Sequence, residues 1–302
     1  MNTQLQLVAL EDRISPAVLS VNPRDPAAFH TIGSAIVAAN PGDTVQVYPA
    51  DYAENVAINK PLSLIGLTNN GLEPAIVGAP VFGAQQSLVS VGGVSGVSVQ
   101  GFQIKNATRS YNQTVIGILV APGGCSVAIV QDVVSNLRDA SVRLSKSAGT
   151  IGIMLSPGSH DVEIKNTQID IQNAQVKGSN SVGGSSYGAF GIWINGAADC
   201  QVLYCYVNAA DGVGIKVSGV SPGTAFDNND VEPLVAGEPA MRVGLEVSNN
   251  AQVSGVGNEF TENHIGILAT SDWVGSLVLT NTVLVGNDAA IIDQSSTPLQ
   301  VT

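Results

Sequence analysis

His264 is one of three histidines in 302 residues, and in the string ENHIGIL (Glu262–Leu268) it leads into an apolar run. An imidazole exchanges a proton near neutral pH, and neighbouring charges decide which way. Two charged residues recur at the matching place in adjoining segments. Arg242 in RVGLEV and Asp288 in DAAIID stand, like His264 in HIGILA, two residues before the centre of the segment. If such segments stack as adjacent strands about 4.8 Å apart, the three residues form one column. A base beside a guanidinium can carry out a β-elimination: Arg242 steadies the substrate carboxylate as negative charge develops, and His264 removes the adjacent proton. The competing reading is a solvated charge ladder of small energetic value.

The position two residues after the centre holds Leu119, Met154, Trp193, Lys216, Glu246, Leu268 and Ile292. Strand alternation sends it to the same face. That face is expected to carry an apolar platform around Trp193 and Met154 beside a charged patch of Asp211, Lys216, Arg242, Glu246, His264 and Asp288. Hydrolysis of a glycosidic bond needs two carboxyl groups about 5–9.5 Å apart. Asp211 and Asp288 fall three coils apart, roughly 14 Å, so elimination fits the face better than hydrolysis. Asp227, Asp230 and Glu232, in DNNDVE, offer oxygen ligands suited to calcium; a solvated turn is the alternative, because no recognised calcium-loop spacing is present.

These side chains are positioned by a repeat. VIGILV, TIGIML, AFGIWI, GVGIKV, RVGLEV, HIGILA and DAAIID centre on Gly117, Gly152, Gly191, Gly214, Gly244, Gly266 and Ala290, at intervals of 35, 39, 23, 30, 22 and 24 residues. Each unit places a strand, such as HDVEIKNTQI or SLVLTNTVLV, and a polar turn before the glycine strand. A 22–24-residue unit of strands without intervening helices predicts a right-handed parallel β-helix, all-β and single-stranded, as a solenoid. Strict alternation predicts that the residues flanking each glycine face the core. The glycines, Gly191, Gly214, Gly244 and Gly266 among them, would then line an outer groove that a ligand approaches closely. Asn166 and Asn281 are expected to cap turns between coils. The long insertions Ser135–Gly149, Ala174–Gly188 and Glu232–Met241 all precede a glycine strand and should wall one edge of that groove.

Composition agrees. Val, Ile, Ala and Leu dominate, aromatics are 5%, and Gly numbers 33. A net charge of −12 with 12 Lys+Arg argues against nucleic acid as a partner. No apolar run is long enough for a transmembrane segment. Cys125, Cys200 and Cys205 form neither a disulfide framework nor a zinc motif.

Residues 23–68 read as a helix over about Ala27–Asn40 followed by a first coil, and 69–302 as the continuing coils. Gly42-Asp43-Thr44-Val45, Tyr52, Glu54, Val56, Ile58, Lys60-Pro61-Leu62 and Leu64-Ile65-Gly66 resemble the capping helix and first coil of the pectin-lyase-like superfamily, and the glycine repeat carries the resemblance to about Asp293. The resemblance implies the β-helix and, across so varied a superfamily, no single activity. The pectinesterase element GxxDFxFG is absent, and NTQ (Asn166–Gln168) and NHIG (Asn263–Gly266) lack the carboxylates of the polygalacturonase motifs. LEDRISPAV (Leu10–Val18) resembles the LEDRxxPA motif of bacterial surface and exported proteins, which makes 1–22 a sorting or flexible segment. The expectation is an exported or cell-surface protein that binds a polysaccharide along the outer glycine-lined face, with cleavage by elimination left open. A non-catalytic structural or adhesive surface protein is the alternative. Oligomeric state is not legible.

Overall fold

The computed structural model describes residues 15–79, 85–105, 114–135, 137, 149–171, 189–209, 212–233 and 241–302. Three all-parallel sheets of eleven, nine and eight strands wrap one interior. Each coil contributes a strand to each sheet in turn, and strands pair with the equivalents one coil before and after. The parallel β-helix is therefore the fold. The nine-stranded sheet holds every glycine segment, in the register Ile118↔Ile153↔Ile192↔Ile215↔Leu245↔Ile267↔Ile291. Of this ladder the first six rungs are buried in one core cluster, while Ile291 in the last coil is exposed. Burial of each such side chain contributes about 1.5–3 kcal/mol.

The corner between the eleven- and eight-stranded sheets explains how so short a turn is made. One residue per coil takes the left-handed region: Gly101, Gln131, Asn166, Tyr204, Asn228, Gly257 and Asn281, with φ between 50° and 78°. Asn166 and Asn281 stand in this column, as turn residues should. The residue that follows points inward, and the buried Asn229 and Asn258 there are stacked by hydrogen bonds. The Cys205 N–H donates to Asn229 Oδ1 (3.0 Å) and the Asn229 N–H to Asn258 Oδ1 (3.1 Å). Their amides donate to the Val202 and Phe226 carbonyls (2.8 and 2.7 Å). Orphan backbone groups at the corner are thus satisfied inside the molecule.

The helix is shorter than the sequence suggested. It spans Ile32–Ala38, with Thr31 as N-cap, and packs Ile32, Ala35 and Ile36 onto the core. The strand Val18–Val21, which the sequence reading assigned to the N-terminal segment, pairs in parallel with Thr44–Val47 and ends the eleven-stranded sheet. Leu10–Ile14 of the sorting motif lie outside the described residues. Buried Asp43 holds this end together by accepting from the Ala17 and Asn40 N–H groups, both at 2.7 Å. Those two donors keep its carboxyl below the ordinary value of 3.8. A lowered carboxyl stabilises the fold above the ordinary value, and that stability is lost as pH falls through the lowered one. Asp43→Ala should therefore speed limited proteolysis around Ser15–Val21 at neutral pH, as acidification below 3.8 should in the wild type. Unchanged cleavage would mean that the strand ladder alone holds the segment.

Cys200 and Cys205 do not share a strand. They flank the strand Gln201–Leu203, and both are buried and unpaired. Burial pushes the two thiols up to about 12 and 11, which makes them inert core residues.

Candidate functional site

The largest correction concerns which way the glycine points. Alternation breaks at the glycine itself: in the ladder from Ile116–Ile118 through Ile151–Ile153 the residues on either side pair, and the glycine between them does not. The strand kinks there as a bulge does. Consequently the residue before the glycine turns outward and the glycine turns inward. Val213, Val243 and Ile265 belong to a cluster separate from the core, together with Leu268, Phe190 and Ile292. A Cβ added at Gly191 would lie 2.3 Å from Val207 Cγ1 and 2.6 Å from the Gly214 carbonyl oxygen. Gly214 meets Val231 Cγ1 at 2.4 Å, and Gly244 and Gly266 meet the next coil's carbonyl at 2.8 and 2.6 Å. All four glycines are buried. They make room for the facing eight-stranded sheet, and they do not line a ligand groove.

The outer face is therefore built from two columns: the residue before the glycine and the residue two after it. At its centre the rings of Phe190 and Trp193 stack at 5.1 Å between centroids. Lys216, one coil on in register with Trp193, sets its ammonium 5.6 Å and 5.8 Å from those rings. Both distances are within cation–π range. The next residue in the column, Glu246, receives Lys216 Nζ at 2.7 Å; the two side chains are only 12% and 5% exposed. The second Glu246 oxygen is buried and has no partner among the described residues. Lys216 and Glu246 are thus a buried pair that presents no open charge to solvent. Trp193 and Met154 are half-buried in the same column, and the Trp193 Nε1–H donates to Ser218 Oγ (2.9 Å).

Arg242, His264 and Asp288 do form a column, but in the turn that precedes each strand and not within the strands. Backbone bonds from the Ile265 N–H to the Arg242 carbonyl (3.0 Å) and from the Ala289 N–H to the His264 carbonyl (2.9 Å) stack the three turns. His264 Nδ1 meets Asp288 Oδ2 at 2.6 Å, with side chains 57% and 77% exposed. The Asp288 carboxylate accepts from Nδ1–H, the tautomer in which Nε2 is the ring nitrogen free to accept a proton. Four residues separate this column from the Lys216–Glu246 column, about 13 Å at 3.3 Å per residue. The charged patch read from sequence is therefore two sites, not one.

Asp211 and most of the three insertions (136, 138–148, 174–188 and 234–240) lie outside the described residues. The calcium set does not assemble. Asp227 ends its strand on one side of the corner, where its Oδ1 accepts from the Val256 N–H (3.0 Å). Asp230 lies past the corner, and Glu232 accepts from the Thr261 hydroxyl (2.8 Å). Burial first, then the charges of Glu232 and Glu259, push Asp230 up to about 6. No group of three or more metal-ligating side chains occurs among the described residues. Strict alternation points Phe190 to the core and so hides the aromatic stack; only the bulge puts it beside Trp193.

The chain is thus a parallel β-helix protein with an aromatic outer face on its glycine sheet. Solved structures share that architecture. A pectin methylesterase from Erwinia chrysanthemi aligns with TM-score 0.52 and 13% identity, over 95% of this chain and 92% of that one. An alginate lyase from a Paenibacillus strain aligns with TM-score 0.50 and 13% identity, over 94% and 97%. The Dettilon tailspike protein aligns with TM-score 0.57 and 15% identity, over 89% of this chain and 50% of that one. At such identities the likeness is one of fold. No family model matches the sequence, and no curated protein does either. No helix among the described residues is long and apolar enough to cross a membrane.

Proposed function

We propose that the chain is an exported protein that binds a polysaccharide along the outer face of its glycine sheet. The observation that carries this reading is the stacked Phe190–Trp193 pair at the centre of that face. Sugar rings present C–H faces that settle on aromatic surfaces, and polar groups beside them orient the hydroxyls. The structural neighbours, a pectin methylesterase, an alginate lyase and a tailspike protein, point in the same direction. Export rests on the LEDRISPAV resemblance and on this company.

A second reading is favoured by one specific contact. The Asp288–His264 pair presents an open Nε2 beside the turn of Arg242, the arrangement a β-elimination needs, with His264 as base and Arg242 on the substrate carboxylate. The rival is a non-catalytic adhesive or structural role. The test is a panel of acidic and neutral polysaccharides, scored for retardation in affinity electrophoresis and for ultraviolet absorbance of unsaturated products. Trp193→Ala should weaken binding roughly tenfold, the loss of one stacking contact worth about 1–1.5 kcal/mol. His264→Ala should abolish any unsaturated product and leave binding intact. Equal product from both proteins removes the lyase reading, and no retardation by any glycan removes the binding reading.

A further inference from the structure

A concave surface far from the glycine sheet has no role in that reading. It lies on the first coils, at the corner between the eleven- and eight-stranded sheets. Later coils turn this corner with one left-handed residue and one inward residue, as at Gln131-Asp132 and Asn228-Asn229. One early coil instead inserts a finger between the strands Leu62–Gly66 and Ala75–Val77. Asn69 and Leu72 exchange both backbone hydrogen bonds (2.9 and 3.0 Å) across Asn70 and Gly71, whose φ values are 51° and 75°. That is the geometry of a tight two-residue hairpin turn. A departure from a minimal repeat that projects a rigid turn marks a surface built for contact.

The finger walls two adjoining hollows of about 200 and 330 Å³ that share Arg24, Pro49 and Leu72. The larger is at the small end of ligand-site volumes, about 300–1,000 Å³. The first hollow sets the partly exposed Tyr48 ring and exposed Leu72 among the amides of Asn22, Asn69 and Asn70. The second adds Lys105, Asp51 and Glu73. Among the described residues no carboxylate lies within ion-pair distance of Arg24, and Lys105 Nζ donates to Gln103 Oε1, two residues back, at 2.7 Å. In a chain of net charge −12, two cations with no carboxylate partner among the described residues, beside an apolar wall and three amides, select a particular ligand. It must carry a carboxylate for the planar guanidinium fork, an apolar face for Tyr48 and Leu72, and hydroxyls for the amides.

We infer that this corner groove is a second saccharide site, specific for an acidic sugar, with Arg24 on the carboxylate and Tyr48 under the ring. It extends the polysaccharide reading but does not use the glycine sheet. Asp51 and Glu73 are left to accept hydroxyls further along, which also limits the groove to one carboxylate at the Arg24 end.

The probe is a short oligogalacturonate and its fully methyl-esterified counterpart, titrated calorimetrically into the full chain at low and moderate salt. Wild type should bind the acid form in two classes of site, and Arg24→Gln should lose one class by tenfold or more. Trp193→Ala should keep the class that Arg24→Gln loses. The ester should not occupy the Arg24 class, and added salt should weaken that class first. If Arg24→Gln lowers the thermal midpoint, Arg24→Lys, which keeps charge but not the fork, replaces it and should show the same loss. An Arg24→Gln titration identical to wild type overturns the corner site and leaves the glycine-sheet reading standing. Loss in Arg24→Gln with no effect of Trp193→Ala supports the corner site and removes the other. Equal binding of acid and ester overturns the carboxylate specificity, and no binding of either overturns the site.

Discussion

Gly191→Ala will destabilise the protein by at least about 3 kcal/mol, although it adds one methyl group to a strand. The usual expectation has the opposite sign. Replacing a glycine by alanine in an element interior gains roughly 0.5–1 kcal/mol, because the unfolded chain loses freedom. An outward groove glycine would follow that rule. Here the new Cβ falls 2.3 Å from Val207 Cγ1 and 2.6 Å from the Gly214 carbonyl oxygen. The valine could turn, but the carbonyl belongs to the next coil's backbone and is fixed by the sheet. Overpacking of a side-chain core already costs about 1–3 kcal/mol, and a backbone clash that must spread between coils lies at or beyond the upper end. Gly92 supplies the control, since its Cβ would meet nothing nearer than the Ile58 carbonyl oxygen at 3.8 Å. Urea unfolding midpoints of Gly191→Ala and Gly92→Ala should move in opposite directions. A stabilised Gly191→Ala would return the glycines to the outer face and restore the groove inferred from alternation.

The same geometry explains why the last copy of the repeat reads DAAIID. Gly266 would drive its Cβ to 2.6 Å from the Ala290 carbonyl, so the glycine is needed wherever another coil stacks on top. Ala290 is in the outermost strand of the nine-stranded sheet, and no carbonyl of a further coil lies over it among the described residues. A methyl group is tolerated there.

Legibility follows from this. The β-helix was readable because a ladder repeats one residue type at one place in every coil, and a period of 22–24 residues survives insertions. The left-handed corner was readable through Asn166 and Asn281. The direction of the glycine was not, because a two-residue period assumes an unbroken strand and one bulge reverses every face before it. Phe190, Val213 and Val243 were assigned to the core by that assumption. The column Arg242–His264–Asp288 was still found, because stacking of equivalent turns does not depend on which face they present. Its distance from Lys216–Glu246 was lost, since types and spacing place residues on a face but not within it. The finger at Asn69–Leu72 gave only the weak signal of an Asn-Gly pair, and nothing in sequence placed Arg24 or Lys105 beside it.

Asp132→Asn will stabilise the protein at neutral pH and flatten its stability profile between about pH 4 and pH 8. Asp132 occupies the inward corner position that Asn229 and Asn258 hold in later coils. Its Oδ1 accepts from the Phe102 N–H at 2.8 Å, while its Oδ2 is buried without a partner. Burial, reinforced by the charge of Glu73, pushes the carboxyl up from 3.8 to about 8. The unfolded chain ionises near 3.8 and the folded one only near 8, so the stabilising contribution is complete below the first value and is lost as pH rises towards the second. Within that window the slope is about 1.4 kcal/mol per pH unit, a difference on the order of several kcal/mol by neutral pH. Asparagine keeps the acceptor for Phe102, does not ionise, and offers the corner a donor of the kind that Asn229 gives to Val202. Asp230, raised to about 6, also titrates in the window and pulls the same way as Asp132, whereas Asp43, shifted downwards from 3.8, titrates below it. The diagnostic quantity is therefore the difference between variant and wild type, not either curve alone. Thermal midpoints measured from pH 4 to pH 8 should diverge steadily, with Asp132→Asn the higher at neutral pH. Parallel curves would mean that Asp132 ionises in the folded state at its ordinary value and that the ladder gains nothing from an amide there.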